Sequence, residues 1–447
     1  TMGIPPGSVQ LCKHCTIGQY NDAKNLILTP PTLYPYTCGM LDSDALLVNS
    51  ALSPQNLVQT RVRDLGDPFL DFWFLGGASI VVFALMALGQ ILRGHFGIVE
   101  QSFVQIIPTF SILALICNHP HFMISYRFGY GRGLRFIGRH WFSLIFVPVA
   151  LVALFTVAYV DFRVEVSELP AIVMINQVFE KIGFGFRFGR APDLGTELLS
   201  LSVWGMFLTV GWHYSKQIFG CLMVYSRFDN YPITATQRLV LKSSVFSIAA
   251  FNFFTLLSSS ADGNNFSQIS FFNIAIAPMQ VPAFLLPIAG VWVGISFLSV
   301  LYFVVYKNYK QFGKKPSANF SIAWIAFHIW WIPFMKQPEF YLLAVPFFHS
   351  LQYLPFAARM EAPKITRDKN YYIRLSSKIL LLLVIGFLAF NFVPAILDQV
   401  FETSWNKTAS FFTIAAIVFI NIHHFFIDSV AWRFDDEEVR SSIFGVT

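Results

Sequence analysis

The stretch 408–432, TASFFTIAAIVFINIHHFFIDSVAW, decides how this chain is read. Its first 20 residues contain no Asp, Glu, Lys or Arg, and that is the length an α-helix needs to cross a bilayer core of about 30 Å. Its second half nevertheless carries His423, His424 and Asp428. Imidazole and carboxylate are expensive in hydrocarbon and persist there where they line a polar cavity, bind a ligand or pair with one another. The stretch therefore predicts a membrane span that bears a site.

The pattern repeats along the 447 residues, of which 55% are hydrophobic and only 13% charged, with a mean hydropathy of +0.57. A soluble domain carries about 25% charged residues, so the composition specifies a polytopic membrane protein. Apolar runs predict an all-α transmembrane helix bundle of about ten spans, at 70–92, 100–122, 141–160, 198–226, 239–259, 281–306, 318–336, 339–358, 373–397 and 408–432. Residues 1–68 read as an extramembrane N-terminal segment, 69–434 as the membrane domain and 435–447 as a C-terminal tail. The 50 phenylalanines are explained mostly by packing against lipid and each other, and also suit an apolar ligand.

Cations alternate between loops. Arg127, Arg132, Arg135 and Arg139 follow the second span, Arg227, Arg238 and Lys242 the fourth, Lys307, Lys310, Lys314 and Lys315 the sixth, and Arg359, Lys364, Arg367, Lys369 and Arg374 the eighth. The positive-inside rule puts these loops and both termini in the cytoplasm, as in a bacterial inner membrane. The opposite loops, 161–197 and 260–280, hold Glu165, Glu168, Asp193 and Asp262, and Leu169 to Val178 reads as an interfacial segment. The net charge of +6 is thus accounted for by topology and anionic lipid, and nucleic acid is not expected as a partner. Gly129-Tyr130-Gly131-Arg132-Gly133 precedes no suitable helix for a phosphate loop, and no transporter-type repeat is visible.

The N-terminal segment lacks the apolar core of a signal peptide. Cys12-Lys13-His14-Cys15 has zinc-like spacing without a second pair, and reads with Cys38 as ordinary cysteines; an inverted orientation would make a Cys12–Cys15 or Cys12–Cys38 disulfide plausible. Cys117 and Cys221 fall in spans as small packing residues. Asn265-Phe266-Ser267 and Asn406-Lys407-Thr408 match the glycosylation pattern, which often occurs by chance.

Histidine occurs at five places within or at the ends of spans: His119-Pro120-His121, His213, His328, His349 and His423-His424. His119 precedes Arg127 by 8 residues, His213 precedes Arg227 by 14, His349 precedes Arg359 by 10 and His423 precedes Arg433 by 10. At about 1.5 Å per residue these rings share one slab, about 12–21 Å from the basic anchors. A proline disfavours helical geometry before it, so a break at Pro120 is expected to turn His119, and with it His121 unless that ring lies at the headgroups, toward the cluster. Adjacent residues diverge by about 100° on a helix, so one of His423 and His424 binds directly and the other meets a second metal or a neighbouring helix. Gln217 lies four residues beyond His213, Gln352 and Tyr353 three and four beyond His349, and Asp428 four beyond His424, where each is expected to hold an imidazole N–H. His328 lacks such a partner, and His95 and His140 read as solvated interface residues.

Neutral imidazoles with one or two carboxylates suit iron, copper or zinc, and four histidines with an open position suit non-haem Fe(II) most closely. The expected metal ligands are His119, His121, His213, His349, His423 and His424, with Asp428 and Tyr353 as catalytic candidates and Gln217 and Gln352 behind them. The repeated histidine boxes of membrane desaturases are absent from the chain.

Asn118-His119-Pro120-His121-Phe122, Trp212-His213-Tyr214, Phe348-His349-Ser350-Leu351-Gln352-Tyr353 and His423-His424-Phe425-Phe426-Ile427-Asp428 place single histidines on separate aromatic-rich spans. In this the chain resembles the bacterial Brp/Blh carotenoid-cleaving oxygenases, polytopic proteins thought to hold iron through four histidines and to split β-carotene into retinal. The resemblance implies such roles for His119, His213, His349 and His424. It predicts a metal-dependent oxygenase or oxidoreductase acting on an apolar lipid or carotenoid-like substrate, with an electron-donor protein or membrane complex as a possible partner. Two other readings stand beside it: haem b held by axial histidine pairs for electron transfer, and a non-catalytic membrane subunit or transporter with a histidine hydrogen-bond network.

Overall fold

A computed structural model describes residues 64–92, 102–160, 170–182, 194–261, 270–271, 274–275, 282, 284–330, 338–361, 370–401 and 410–445. Division of the chain by internal contacts falls between Ser53 and Pro54, and every described residue belongs to the second unit, Pro54–Thr447. The expectations for Cys12, His14, Cys15, Cys38 and His95, for Glu165, Glu168, Asp193 and Asp262, and for the two glycosylation patterns lie outside the described residues, as do those for Lys364, Arg367 and Lys369.

The described chain is helical apart from one two-residue antiparallel ladder, β1 (Ser270–Phe271) with β2 (Ile274–Ala275). Among the described residues, seven helices stand out as long and apolar enough to cross a membrane: α1 (Pro68–Leu88), α4 (Phe142–Val160), α6 (Leu194–Phe228), α7 (Ala235–Ala261), α8 (Leu285–Phe312), α11 (Ile373–Val400) and α12 (Phe411–Ala431). This is an integral membrane protein. Three of the ten expected spans coincide instead with α2 (Ser102–Tyr130), α9 (Ala318–Trp330) and α10 (Pro338–Glu361), which are not among those seven. Two of them, α2 and α10, carry polar side chains of the site described below. Shorter helices complete the set: α3 (Leu134–Arg139), α5 (Pro170–Lys181) and α13 (Glu437–Phe444).

Exposure sorts the helices. On α8, Ile288, Val291, Ile295 and Leu298 are exposed, as are Leu380, Leu381 and Val384 on α11 and Val149 and Val152 on α4. Such faces are stable only against lipid. Helix α5 likewise exposes Val173, Met174 and Val178. The inner helices bury polar and aromatic residues instead, among them His121, Ser125, Tyr225, Gln352 and His424. Helix α2 packs against α10, α11 and α12, and α6 against α4, α7, α9 and α12.

Two glycines set how closely the helices approach. Gly76, in a π-helical turn at Trp73–Gly77, faces α9 so tightly that a Cβ would stand 2.4 Å from Ala326 Cβ and 2.9 Å from the Ile322 carbonyl oxygen. Gly386 lies against α2, where a Cβ would come within 2.8 Å of His119 Cβ. Such approaches between helices enclosed by lipid rest on van der Waals contact and small residues. Another π-helical turn, Leu388–Phe392, follows Gly386 and carries Phe390 and Asn391 toward His119.

The segment read as a C-terminal tail contains α13, which is capped and docked. Asp436 caps it by accepting from the backbone N–H groups of Glu438 and Val439, while Val439 and Ile443 are fully buried. Arg132 donates to Asp436 at 2.5 Å, Arg359 donates to the Ser442 carbonyl at 3.2 Å and Arg227 stands 4.7 Å over the Phe444 ring. Lys314 donates to the Asn230 carbonyl at 2.8 Å, beside the end of α6. Cations from four loops therefore gather at one end of the bundle, the end that also holds α13.

Candidate metal centre

Pro120 does not break its helix: α2 runs from Ser102 to Tyr130, so residues 119 and 121 face in opposite directions, about 200° apart. His121 faces the bundle centre and is fully buried. There it meets His213 of α6, His349 of α10 and His424 of α12, each offering a nitrogen, with all four nitrogens within 4.8 Å of one another. Nitrogens bound to one ion at about 2.1 Å stand about 3–4 Å apart, so the spacing suits a single metal. His213 Nε2 and His424 Nε2 are 3.2 Å apart.

The hydrogen bonding points the same way. Both ring nitrogens of His121 and of His349, with Nδ1 of His424, are buried without a partner. Each orphaned group costs about 1–3 kcal/mol, and a shared metal ion would satisfy several at once. Neutral imidazoles are the donors that iron, copper and zinc take.

The four histidines are in register. Three residues before them stand Asn118, Val210, Pro346 and Asn421, all lining one cavity that touches His213, His349 and His424. Four residues after them stand Ser125, Gln217, Tyr353 and Asp428. Ser125 and Tyr353 hydroxyls are 2.9 Å apart, Trp432 Nε1 donates to the Tyr353 hydroxyl at 3.0 Å, and Ser125 also lies beside the Asp428 carboxylate. Corresponding positions on four helices form layers only when the helices run in the same direction at one depth. The centre therefore has three layers, a cavity, a histidine ring and a polar floor.

Asp428 stands beside His424, as its spacing predicts, and reaches His213 as well. Its Oδ2 lies 3.4 Å from His424 Nε2 and 3.7 Å from His213 Nε2, as close to those nitrogens as ligands of one ion are to each other, and its Oδ1 has no partner. Gln217 and Gln352 are corrected. Gln217 donates to the His349 carbonyl at 2.9 Å and to Gln352 Oε1 at 3.1 Å, and Gln352 donates to the Leu75 carbonyl at 2.7 Å. Neither amide holds an imidazole; together they clasp α6, α10 and α1. Tyr353, expected beside His349, sets its ring edge-on to His121 at 4.0 Å between centroids.

His119 and His423 do not join the four. His119 Nδ1 lies 2.6 Å from the Leu115 carbonyl oxygen and its Nε2 2.6 Å from the Asn391 side chain, while its ring stacks on Phe390. His423 has both nitrogens engaged by phenols, Tyr126 at 2.9 Å from Nδ1 and Tyr130 at 3.1 Å from Nε2. Tyr130 already donates to the Leu144 carbonyl at 2.7 Å, so His423 Nε2–H donates to Tyr130 and Tyr126 donates to Nδ1. No lone pair is left for a metal. His328 lies apart, 3.1 Å from the Ser244 hydroxyl and 2.7 Å from the Trp324 carbonyl oxygen. His140 is partly buried; burial first, then Arg433, Arg139 and Arg132, hold its pKa below the ordinary imidazole value. Cys117 and Cys221 are buried free thiols.

Residue reading missed Ser125, Tyr214 and the lining residues Asn118 and Asn421. Tyr214 covers His349 with ring centroids 4.1 Å apart. The signal was present, since the lining and floor residues recur at fixed offsets from each histidine, but it emerges only once His121 rather than His119 sets the register of α2.

Comparison with protein-family models, with curated proteins and with solved structures found no match to this chain.

Proposed function

We propose that this protein is an integral-membrane, metal-dependent oxidoreductase of the oxygenase type, acting on an apolar, lipid- or carotenoid-like molecule. The observation that carries the reading is the convergence of four buried imidazoles, three of them with orphaned nitrogens, inside a lipid-enclosed bundle. His121, His213, His349 and His424 would hold the metal, with Asp428 beside them. Nitrogen donors with one carboxylate suit non-haem iron best, with copper or zinc as alternatives. Such an ion supplies a redox or Lewis-acid centre. The comparison with Brp/Blh oxygenases carries over with His121 in place of His119.

The chain's own residues do the rest. Ser125, Tyr353 and Trp432 form a hydrogen-bonded string that reaches the Asp428 carboxylate, able to hold a proton beside the centre. Phe122, with its ring 4.9 Å from that of His424, and Tyr214 over His349 keep bulk water from the imidazoles. The lipid-facing helices allow an apolar substrate to approach from the bilayer, and electrons would come from a donor protein or membrane partner. The haem b alternative is disfavoured by spacing, because His213 Nε2 and His424 Nε2 at 3.2 Å stand closer than two axial ligands at about 2 Å from a central iron.

Elemental analysis of the purified protein is expected to give about one iron per chain without a haem Soret band. Asp428→Asn is expected to fold, keep part of its metal and lose about 10–100-fold in oxygen uptake with a carotenoid or lipid. A metal-free wild-type protein, or one consuming no oxygen with any apolar substrate, would move the reading to a structural membrane subunit.

A further inference from the structure

The two sides of the histidine ring differ. On the side of Ser125 and Tyr353 the hydroxyls bond one another and Asp428 approaches His213 and His424, so that side is filled. On the other side, the cavity lined by Asn118, Val210, Pro346 and Asn421 has a volume of about 20 Å³. A single water needs about 10–15 Å³ on this measure, so the space holds one or two heavy atoms. His349, both of whose nitrogens are buried and unpartnered, lines it together with His213 and His424.

The wall is partly polar, with Asn118, Asn421, Ser350 and Tyr214 among its lining residues. Ser350 donates to Asn118 Oδ1 at 2.5 Å, which fixes the orientation of that amide and leaves its N–H groups as the end that offers protons. Asn421 is anchored by donating to the Ile417 carbonyl at 2.8 Å. A held amide donor in the wall of a small buried cavity is the environment that stabilises a small ligand on which negative charge develops.

Resting on the metal reading above, we infer that this cavity is the exogenous-ligand position of the centre, that it takes a diatomic molecule of dioxygen's size, and that Asn118 positions it. A long apolar substrate does not enter this space and meets the centre only at its edge. Ser350 sets the Asn118 amide, and Val210 limits the volume.

The test uses the full chain loaded with Fe(II) under anaerobic conditions, with nitric oxide as probe and electron paramagnetic resonance as readout. Wild type is expected to bind nitric oxide, and to bind methyl isocyanide at least about tenfold more tightly than tert-butyl isocyanide, because overfilling a packed space is penalised by that much or more. Asn118→Leu, which removes the donor at similar volume, is expected to weaken nitric oxide binding about 10-fold or more with iron content unchanged. Val210→Phe is expected to abolish it with iron retained. Unchanged nitric oxide affinity in Asn118→Leu with equal affinity for the two isocyanides would overturn this inference and leave the metal centre standing; these two arms need no cavity-filling variant to fold. A wild-type chain that takes up no iron would instead remove the metal reading itself, and this inference with it.

Discussion

At the residue scale, what separates the histidines is what their nitrogens already touch. His423 is satisfied by two phenols, and His119 by a carbonyl and an amide, so both are complete without a metal. His121 and His349 have neither nitrogen paired. His121→Ala and His349→Ala are each expected to reduce bound metal to a small fraction, while His119→Ala and His423→Ala keep it near the wild-type level, as read by elemental analysis per chain. Loss of metal in the second pair with retention in the first would reverse the assignment. Counting from basic anchors put the histidines at one common level, but it could not distinguish His119 from His121, which differ by only about 3 Å in height and by over half a turn in direction.

Helices set the next scale. Four of them, α2, α6, α10 and α12, present corresponding positions in layers, which demands both a shared direction and a fixed approach. Much of that approach is set by neighbours with small residues. Gly76→Ala would press a methyl onto Ala326 Cβ and the Ile322 carbonyl oxygen, the second of which belongs to backbone and cannot turn aside. It is expected to cost about 1–3 kcal/mol, read as a lower midpoint in thermal unfolding in detergent, with α9 displaced. A variant as stable as wild type would show that α1 and α9 adjust freely. Proline proved a poor guide here: Pro120 in α2 and Pro346 and Pro355 in α10 lie inside continuous helices, because neighbouring helices in a membrane support the freed backbone groups.

For the whole molecule the decisive pattern is charge. Arg132, Arg227, Arg359 and Lys314 meet at the end of the bundle that carries α13, binding it through Asp436, Ser442 and Phe444 or anchoring the adjoining loop. If the positive-inside rule holds, that end is cytoplasmic. In intact cells, a cysteine placed at Ser260 is expected to react with an impermeant thiol reagent and one at Ser317 to remain unmodified. Modification of Ser317 alone would invert the protein in its membrane.

The sequence by itself determined the membrane class, the helical character and the common level of the histidines, because each follows from local composition: apolar length, cation placement and rise per residue. It also singled out His213, His349, His424 and Asp428, whose ionisable or polar groups have no ordinary place in hydrocarbon. Only the tertiary structure decided that His121 completes the group, that Asp428 reaches His213 as well as His424, and that Gln217 and Gln352 join helices instead of histidines. Those outcomes depend on helix rotation and on partners more than a hundred residues apart, such as Asn391 for His119 and His349 for Gln217. Spacing along one helix fixes which side chains share a face, and packing among several helices fixes what that face meets.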